Sequence, residues 1–298
     1  MTQNVAAIAG AMMITLAAND ALARCADWTP QPKPQNVGRD IVGQDYDTIV
    51  ENGSMLFAVY EDFPPYSYRE GGEAKGVDVE IAKLIAEFIG VKAEFNFVGS
   101  GENLEADLRT NIWKGGLIGG RIANVMMRVP YESEFTCRVE QVVFTGQYYN
   151  ETLAIAYDAK FYTEDLPVPA YFRFDEVGVE NDSLADFYLS SVGNGMLLPN
   201  IKRYPTPQDA MAALEQGEVK AVMGPLAQLE WELSENVGVH QPPLPGLSRG
   251  SWTLGVGVNF RYRQLAYAVD DAIQSAVQDG RIASIFADYG LTYTEASW

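Results

Sequence analysis

Three aromatic side chains follow a short apolar run and surround a pair of prolines. Phe63, Tyr66 and Tyr68 come directly after a predicted strand, Met55–Tyr60, and the prolines end that strand because proline donates no ladder hydrogen bond. In open α/β sheets, ligands bind in loops at the carboxyl ends of strands. The three rings are therefore candidates for ligand contact, with packing at the edge of the core as the alternative.

Acidic residues near this loop are the only candidates for catalytic chemistry. Glu61, Asp62 or Asp78 would have to be held in position with a shifted pKa to act as a general acid or base. The sequence has no G-x-S-x-G, no H-E-x-x-H, no P-loop and no G-x-G-x-x-G after a strand. The single histidine, His240, lies in a proline-rich stretch that is predicted to be a surface linker. We therefore expect a protein that is not an enzyme and that uses no cofactor.

The elements that position the loop alternate between strands and helices. A helix with Asp78 at its start and Gly90 at its end follows the loop. Further strands are predicted at 93–98, 124–129, 141–149, 152–157, 176–179, around 203, at 219–223 and at 253–258, and further helices at 45–51, 105–114, 183–190, 207–216, from about 227, and in two parts within 264–288. This alternation favours parallel sheets, and hence an α/β protein of two lobes joined by two crossovers.

Composition and charge limit the class of protein. The chain has 298 residues, enough for two domains, with 47% hydrophobic and 20% charged residues, as in globular proteins. Its net charge of −19 makes nucleic acid and anionic membrane surfaces poor partners. An acidic surface suits a basic partner protein or a salty environment, or simply keeps the protein in solution.

The first 23 residues are predicted to be a signal peptide. Residues 5–18 form an apolar segment that is too short to span a bilayer, and residues 21–23 form an A-x-A cleavage site, although no basic residue precedes the apolar run. The mature chain would begin at Arg24, have no membrane span and be released into the periplasm. Residues 24–44, rich in proline, are predicted to form an extended arm.

The chain has two cysteines, Cys25 and Cys137. In an exported protein this predicts a disulfide, which would attach the arm to the body and close a loop of roughly 110 residues, worth about 3–5 kcal/mol in the chain-entropy treatment. Two cysteines and one histidine in distant places do not make a tetrahedral zinc site, so no metal site is expected.

The ordered series PPYSY, GVDVEIA and EFIGVKAEF resembles the opening of the family 3 periplasmic solute-binding proteins. The resemblance extends over about residues 55–293. It implies the type II periplasmic-binding-protein fold, with lobe 1 at 45–147 and 251–298, lobe 2 at 148–250 and two hinge crossovers between them.

The same resemblance places two arginines in the ligand cleft. Arg138 aligns with the T-x-x-R arginine that clamps a ligand carboxylate in amino-acid binders, with a surface salt bridge as the alternative. Arg128 stands where the family has glycine, so it would fill part of the ligand site or pair with Glu61 or Asp62.

In the second lobe, Asn181, Asp182 and Ser183 match the family's G-T-T turn at a helix start. Free amide N–H groups at such a turn bind anions, although Asp182 or Ser183 would also serve as an ordinary N-cap.

Two departures argue against an ordinary α-amino-acid ligand. Amino-acid binders place aspartates where this chain has Tyr60 and Pro225, and a ligand ammonium without a carboxylate partner is held poorly once desolvated.

The Cys-x-Asp-Trp arm and the segments VYEDFPPYSY, DLRTNIWKG and VMMRVP resemble the J-type accessory proteins of PQQ-dependent, including lanthanide-dependent, methanol or alcohol dehydrogenase clusters. This implies a non-catalytic periplasmic accessory of a quinoprotein dehydrogenase or its cytochrome. A glycine-rich insertion, Gly116–Gly120, and the acidic exterior would form the contact surface. The alternative is an ABC-transporter substrate-binding protein that delivers a small amino-acid-like or anionic solute to a permease.

Overall fold

A computed structural model describes residues 43–116 and 121–296. Its strands are β1 (Ser54–Tyr60), β2 (Tyr68–Glu70), β3 (Glu73–Lys75), β4 (Lys92–Val98), β5 (Val125–Pro130), β6 (Val142–Asp158), β7 (Val177–Glu180), β8 (Ile201–Tyr204), β9 (Ala221–Pro225), β10 (Val237–His240) and β11 (Ser251–Asn259). Its α-helices are α1 (Tyr46–Asn52), α2 (Val77–Ile89), α3 (Leu104–Leu108), α4 (Ser133–Arg138), α5 (Leu184–Ser191), α6 (Pro207–Glu215), α7 (Leu226–Glu230), α8 (Arg263–Gln278) and α9 (Arg281–Asp288).

The main sheet runs β4-β1-β5-β11-β6-β9-β7-β8, and β10 pairs with β6. Strands β4, β1 and β5 are parallel at one end, and β9, β7 and β8 are parallel at the other. Antiparallel β11 and β6 lie between the two groups. The predicted two-lobed α/β fold is therefore confirmed.

Strand β6 is shared by both lobes. Its first part pairs with β11 as far as Thr152, and its last part pairs with β9 from Leu153 onward. The sequence predicted two separate strands here because the polar residues Asn150 and Glu151 looked like a boundary. Both residues instead continue the ladder opposite β11, so the first crossover is made by continuous strand. The second is the segment between β10 and β11.

Each lobe has its own hydrophobic core. In lobe 1, α2, α8 and α9 cover one face of the sheet, where Phe57, Ile85 and Ile273 are fully buried. In lobe 2, α5 and α6 pack on opposite faces of the β9-β7-β8 sheet, with Leu189 in one cluster and Leu214 in the other. The residue boundaries proposed for the lobes remain a prediction.

The connection into α2 fixes the aromatic loop beside the helix. A hairpin of β2 and β3 stands in place of the expected loop, and Gly76 follows at φ 117°. A Cβ at Gly76 would overlap the Tyr66 carbonyl, so this position requires glycine. Helix α2 ends at Gly90 in the left-handed conformation, as its sequence predicted.

Three local elements differ from the sequence prediction. The helix expected over 105–114 is α3 followed by a π-helical turn, Arg109–Trp113. Helix α4, which was not predicted from the sequence, is capped by the Glu132 side chain. The predicted linker around His240 is strand β10. Its backbone groups pair with those of β6 in an antiparallel ladder, which the sequence alone did not indicate.

The signal peptide, most of the proline-rich arm, Cys25 and residues 117–120 of the glycine-rich insertion lie outside the described residues.

Candidate functional site

The aromatic loop lies at the carboxyl end of β1, but its rings are not equally accessible. Tyr66 is fully buried, whereas Phe63 and Tyr68 are partly buried. The Pro64-Pro65 peptide is cis, and Phe63 and Ser67 bridge across the turn. The Phe63 and Tyr66 rings lie 5.4 Å apart. Tyr66 thus belongs to the core and the other two rings lie at its edge, as the packing alternative predicts, and ligand contact by the three rings stays a prediction.

Arg128 lies at the centre of this region. It is 8% exposed, its guanidinium carbon lies 3.1 Å from the centroid of the Tyr66 ring, and it is 5.6 Å from that of Phe63. Its Nη2 lies 3.3 Å from a carboxylate oxygen of Glu151. Arg128 therefore pairs with Glu151, and not with Glu61 or Asp62.

A bulge in the sheet explains this orientation. Between Val129 and Met126, strand β5 advances three residues while β11 advances only two, from Gly255 to Gly257. Arg128 lies in this irregularity at φ 57°, a conformation unusual for a residue with a Cβ. A bulge redirects side chains, and here it turns Arg128 toward β6.

Glu151 collects most of the hydrogen bonds in the site. Its side chain is completely buried and accepts from the Tyr66 hydroxyl, from the Tyr149 hydroxyl at 3.4 Å, from the Thr152 N–H at 3.1 Å and from Arg128. A buried carboxylate is stable only when such donors replace water. The Nη1 of Arg128, in contrast, has no hydrogen-bond partner among the described residues.

A second buried carboxyl, Asp78, lies on α2. The Tyr148 hydroxyl donates to it at 2.7 Å. Burial raises the pKa of Asp78 to about 6, against the lowering effects of Arg128 and of the hydrogen bond from Tyr148. For Arg128, burial alone would lower the pKa, but the neighbouring Tyr66, Asp78 and Glu151 raise it overall. The site is thus one buried arginine among two carboxyl groups and several phenols.

Contacts between the lobes surround the site. The Gln208 amide on α6 donates to the Pro64 carbonyl at 3.3 Å, and the Tyr68 ring lies 5.8 Å from that of Trp231. Beyond α9, Thr292 donates to the Glu230 carboxylate through its N–H at 2.7 Å and its hydroxyl at 2.6 Å. The aromatic loop therefore lies where the lobes meet, and the two lobes are in contact there.

Arg138 lies on α4, with 46% of its side chain exposed. Its Nε is 3.6 Å from the Glu105 carboxylate, and its guanidinium lies 5.3 Å from the Phe135 ring. These contacts belong to the exterior of lobe 1, so the structure does not bring Arg138 together with Arg128 and the aromatic loop. Its role in ligand binding stays a prediction.

The turn formed by Asn181, Asp182 and Ser183 uses its polar groups internally. Ser183 is the N-cap of α5 and accepts from the Asp186 N–H at 3.2 Å. The Asp182 N–H donates to the Asp186 carboxylate at 3.3 Å, and the Asn181 amide donates to the Asp182 side chain at 2.7 Å. The expected capping role is present, and the anion nearest these amides is the protein's own Asp186, which Arg203 also contacts at 2.9 Å.

Comparisons with known proteins agree with this architecture. Residues 55–113 match the family described as bacterial extracellular solute-binding proteins, family 3. The match is confined to the part of lobe 1 from β1 to the π-helical turn. No curated protein matched the chain.

Solved structures extend the similarity to most of the chain. An ancestral cationic amino acid solute-binding protein, AncCDT-1, is 18% identical, with a TM-score of 0.67 over 82% of this chain and 99% of that one. A second AncCDT-1 structure, described as a precursor of cyclohexadienyl dehydratase, is 17% identical, with a TM-score of 0.57 over 82% and 98%. An amino acid ABC transporter substrate-binding protein from Streptococcus pneumoniae, bound to L-arginine, is 18% identical, with a TM-score of 0.59 over 84% and 100%. The fold is that of two-lobed solute-binding proteins.

The structure shows what occupies the two positions where the sequence lacks the aspartates expected of amino-acid binders. Tyr60 donates its hydroxyl to Asp107 at 2.9 Å, inside lobe 1. Pro225 pairs with Leu153 in the sheet and begins α7. Neither position supplies a carboxylate.

Glu151, Tyr148 and the burial of Asp78 were not predicted from the sequence. Glu151 follows Asn150 in a stretch that looked like a domain boundary. Asp78 was expected at the start of α2 and was considered as a general acid, but not as a buried partner of Tyr148. The available signal was the acid within an otherwise strand-like run, QVVFTGQYYNETLAIAY. An acid in a buried strand requires a partner, and Arg128 was the natural candidate.

Other predicted features are only partly described. Cys137 is buried at the end of α4, but Cys25 lies outside the described residues, so their pairing stays a prediction. Within residues 43–116 and 121–296, no cluster of three or more His, Cys, Asp or Glu side chains is arranged to hold a metal ion. In the same ranges, no helix has the length and hydrophobicity to cross a bilayer.

Proposed function

We propose that this chain is an exported, non-catalytic solute-binding protein that holds a small amino-acid-like or anionic solute between its lobes and serves an ABC permease. The observation that carries the proposal is the buried Arg128 at the place where the lobes meet. Its backbone has a φ of 57°, which favours glycine, and its Nη1 has no hydrogen-bond partner among the described residues. Strained, buried charged groups of this kind concentrate at functional sites. The solved structures named above, which bind amino acids, support the same class of ligand.

Solute binding is tested on the mature chain, residues 24–298, by thermal shift followed by calorimetric titration. Three probe sets separate the ligand classes: α-amino acids including L-arginine, small carboxylates, and polyamines. We expect one set to raise the unfolding temperature. For a probe that binds through a carboxylate to the Arg128 Nη1, the Arg128→Gln variant should weaken that binding at least tenfold. Arg138→Ala is the matched variant, since it removes an arginine whose contacts lie on the exterior. Failure of every probe to shift the wild-type protein would refute the receptor function.

A second function is favoured by a different observation. Seven large apolar side chains are exposed within a stretch of lobe 2, between residues 161 and 198: Phe161, Leu166, Phe174, Leu184, Phe187, Met196 and Leu198. Where such residues form one contiguous patch, the patch is typical of a protein contact. This favours the accessory hypothesis, in which the chain assists a periplasmic PQQ-dependent dehydrogenase or its cytochrome.

The accessory hypothesis is tested by surface plasmon resonance with the purified dehydrogenase and cytochrome. Binding that is lost in a Phe174→Ser/Phe187→Ser variant, with the solute screen negative, would replace the receptor function with the accessory one. Binding that instead depends on residues 116–120 would assign the contact to the glycine-rich insertion. No binding to either protein would refute the accessory hypothesis.

Export to the periplasm is part of both proposals. Expression of the full chain with isolation of the mature protein should give an N-terminus at Arg24. A full-length product retained in the cytoplasm would contradict export.

A further inference from the structure

The environment of Arg128 has the composition of a binding site for a guanidinium group. One face of the guanidinium lies against the Tyr66 ring, with its carbon 3.1 Å from the ring centroid, and the edge toward β6 meets the Glu151 carboxylate. Aromatic faces and carboxylates are the two groups that recognise a planar cation. Phe63 and Asp78 complete the surroundings, the first by ring contact at 5.6 Å and the second by charge.

The residues that surround the Arg128 guanidinium are also held in place by hydrogen bonds to residues other than Arg128. The Tyr66 hydroxyl donates to Glu151, and Glu151 also accepts from Tyr149 and from the Thr152 N–H. The Tyr148 hydroxyl holds Asp78. These contacts do not involve Arg128, so they remain available to hold the site when the arginine side chain is removed.

The backbone of Arg128 points to the same conclusion. A φ of 57° favours glycine, and a non-glycine residue keeps it only where its surroundings enforce it. Side-chain contacts with Tyr66 and Glu151 provide that enforcement. The strained backbone of Arg128 thus accompanies the placement of its guanidinium between Tyr66 and Glu151.

We propose that Arg128 is a tethered ligand: its side chain occupies a guanidinium-binding site, formed by Tyr66, Phe63, Glu151 and Asp78, that takes a free alkylguanidinium when Arg128 is absent. The contact is autoinhibitory, because a guanidinium-bearing solute gains this site only by displacing Arg128. The inference goes beyond the proposed function, since it concerns occupancy of the site by the chain itself.

The test is chemical rescue of an Arg128→Gly variant by methylguanidinium chloride at millimolar concentration. Glycine suits the φ of 57° and leaves the space of the lost side chain. At a tenfold excess over Kd, methylguanidinium should raise the unfolding temperature of the variant by roughly 2–4 °C and leave the wild-type protein unchanged. Methylammonium, which has the charge without the planar shape, should rescue at least tenfold less effectively. An Arg128→Gly/Glu151→Gln variant should lose the rescue.

A measurement on the wild-type protein covers the case in which the glycine variant does not fold. In ¹⁵N-edited NMR, the Arg128 Nε–H should exchange slowly and be shifted by the ring current of Tyr66, and Tyr66→Leu should abolish the shift. Rapid exchange at the position of an exposed arginine would overturn the proposal. An equal methylguanidinium shift in the wild-type and Arg128→Gly proteins, or none in a folded variant, would do the same.

The outcome of the chemical-rescue experiment can be distinguished from the outcome of the solute screen. Successful rescue with no wild-type solute would remove the receptor function and leave the tethered arginine in place. A wild-type solute that binds without rescue of the variant would support the receptor and refute the tethered ligand.

Discussion

The Arg128–Glu151 pair should show strong energetic coupling. The perturbation is a double-mutant cycle of Glu151→Gln, Arg128→Gln and the double variant, measured by urea unfolding of the mature protein. Both side chains are buried, at 8% and 0% exposure, and lie 3.3 Å apart. Each single change therefore leaves one buried charge without its counterion.

The expected magnitudes follow from this burial. Removing one partner of a buried pair costs about 3–5 kcal/mol, because the remaining charge is unsatisfied. For Glu151→Gln the loss includes weaker hydrogen bonds from Tyr66 and Tyr149, since an amide is a poorer acceptor than a carboxylate. The double variant removes both charges, so it should cost less than the sum of the singles by about 2 kcal/mol or more.

An exposed pair provides the matched control. Arg121 and Glu94 lie 2.7 Å apart, but their side chains are 69% and 42% exposed. Glu94→Gln should change the free energy of unfolding by no more than about 1 kcal/mol. Additive effects in the Arg128–Glu151 cycle, or single costs as small as that of Glu94→Gln, would refute the reading of the site as a coupled buried cluster.

Three further predictions concern pH, the C-terminal segment and the cysteines. The folded pKa of Asp78, about 6, lies above its ordinary 3.8, so the wild-type protein should lose about 2 kcal/mol relative to Asp78→Asn as pH rises from about 4 to 6. Urea titrations at each pH measure this, and parallel curves would contradict it. Thr292→Val should lower the free energy of unfolding by about 1 kcal/mol and speed amide hydrogen exchange in α7, because it removes the hydroxyl that donates to Glu230. Thr136→Val, which loses a local hydrogen bond to the Ser133 carbonyl, should leave exchange in α7 unchanged. Equal exchange in both variants would show that Thr292 does not restrain the lobes. The oxidised mature protein should contain no thiol that reacts with Ellman's reagent, and reduction should lower its stability by about 3–5 kcal/mol; two reactive thiols would disprove the Cys25–Cys137 bond.

The sequence predicted the fold well because local signals agreed with it. The β1–α2 connection illustrates this, because its apolar strand, its proline turn and its helix ended by Gly90 could each be predicted from neighbouring residues. The position of Phe63 and Tyr66 after the carboxyl end of a strand also followed from the sequence, because the two prolines end β1. Arg128 was placed near them by the family resemblance. Boundaries were predicted least well where polar residues continued a strand, as at Asn150 and Glu151.

The partners within the site were beyond the reach of local sequence. Strands β5 and β6 are separated by β11, so Arg128 meets Glu151 across an intervening strand. The bulge that makes this possible depends on the registers of three strands, and no short motif specifies it. Arg138 shows the reverse case, in which an alignment predicts a cleft residue but the helical turn of α4 places its contacts on the exterior.

The same geometry explains why an arginine at position 128 is compatible with a stable fold. A lone guanidinium buried in lobe 1 would be strongly destabilising, so an arginine at the bulge requires an anion and a polarisable surface within reach. Glu151 supplies the anion from the strand that joins the lobes, and Tyr66 supplies the ring from the loop that touches lobe 2. The pair therefore links the aromatic loop to the strand that crosses between the lobes.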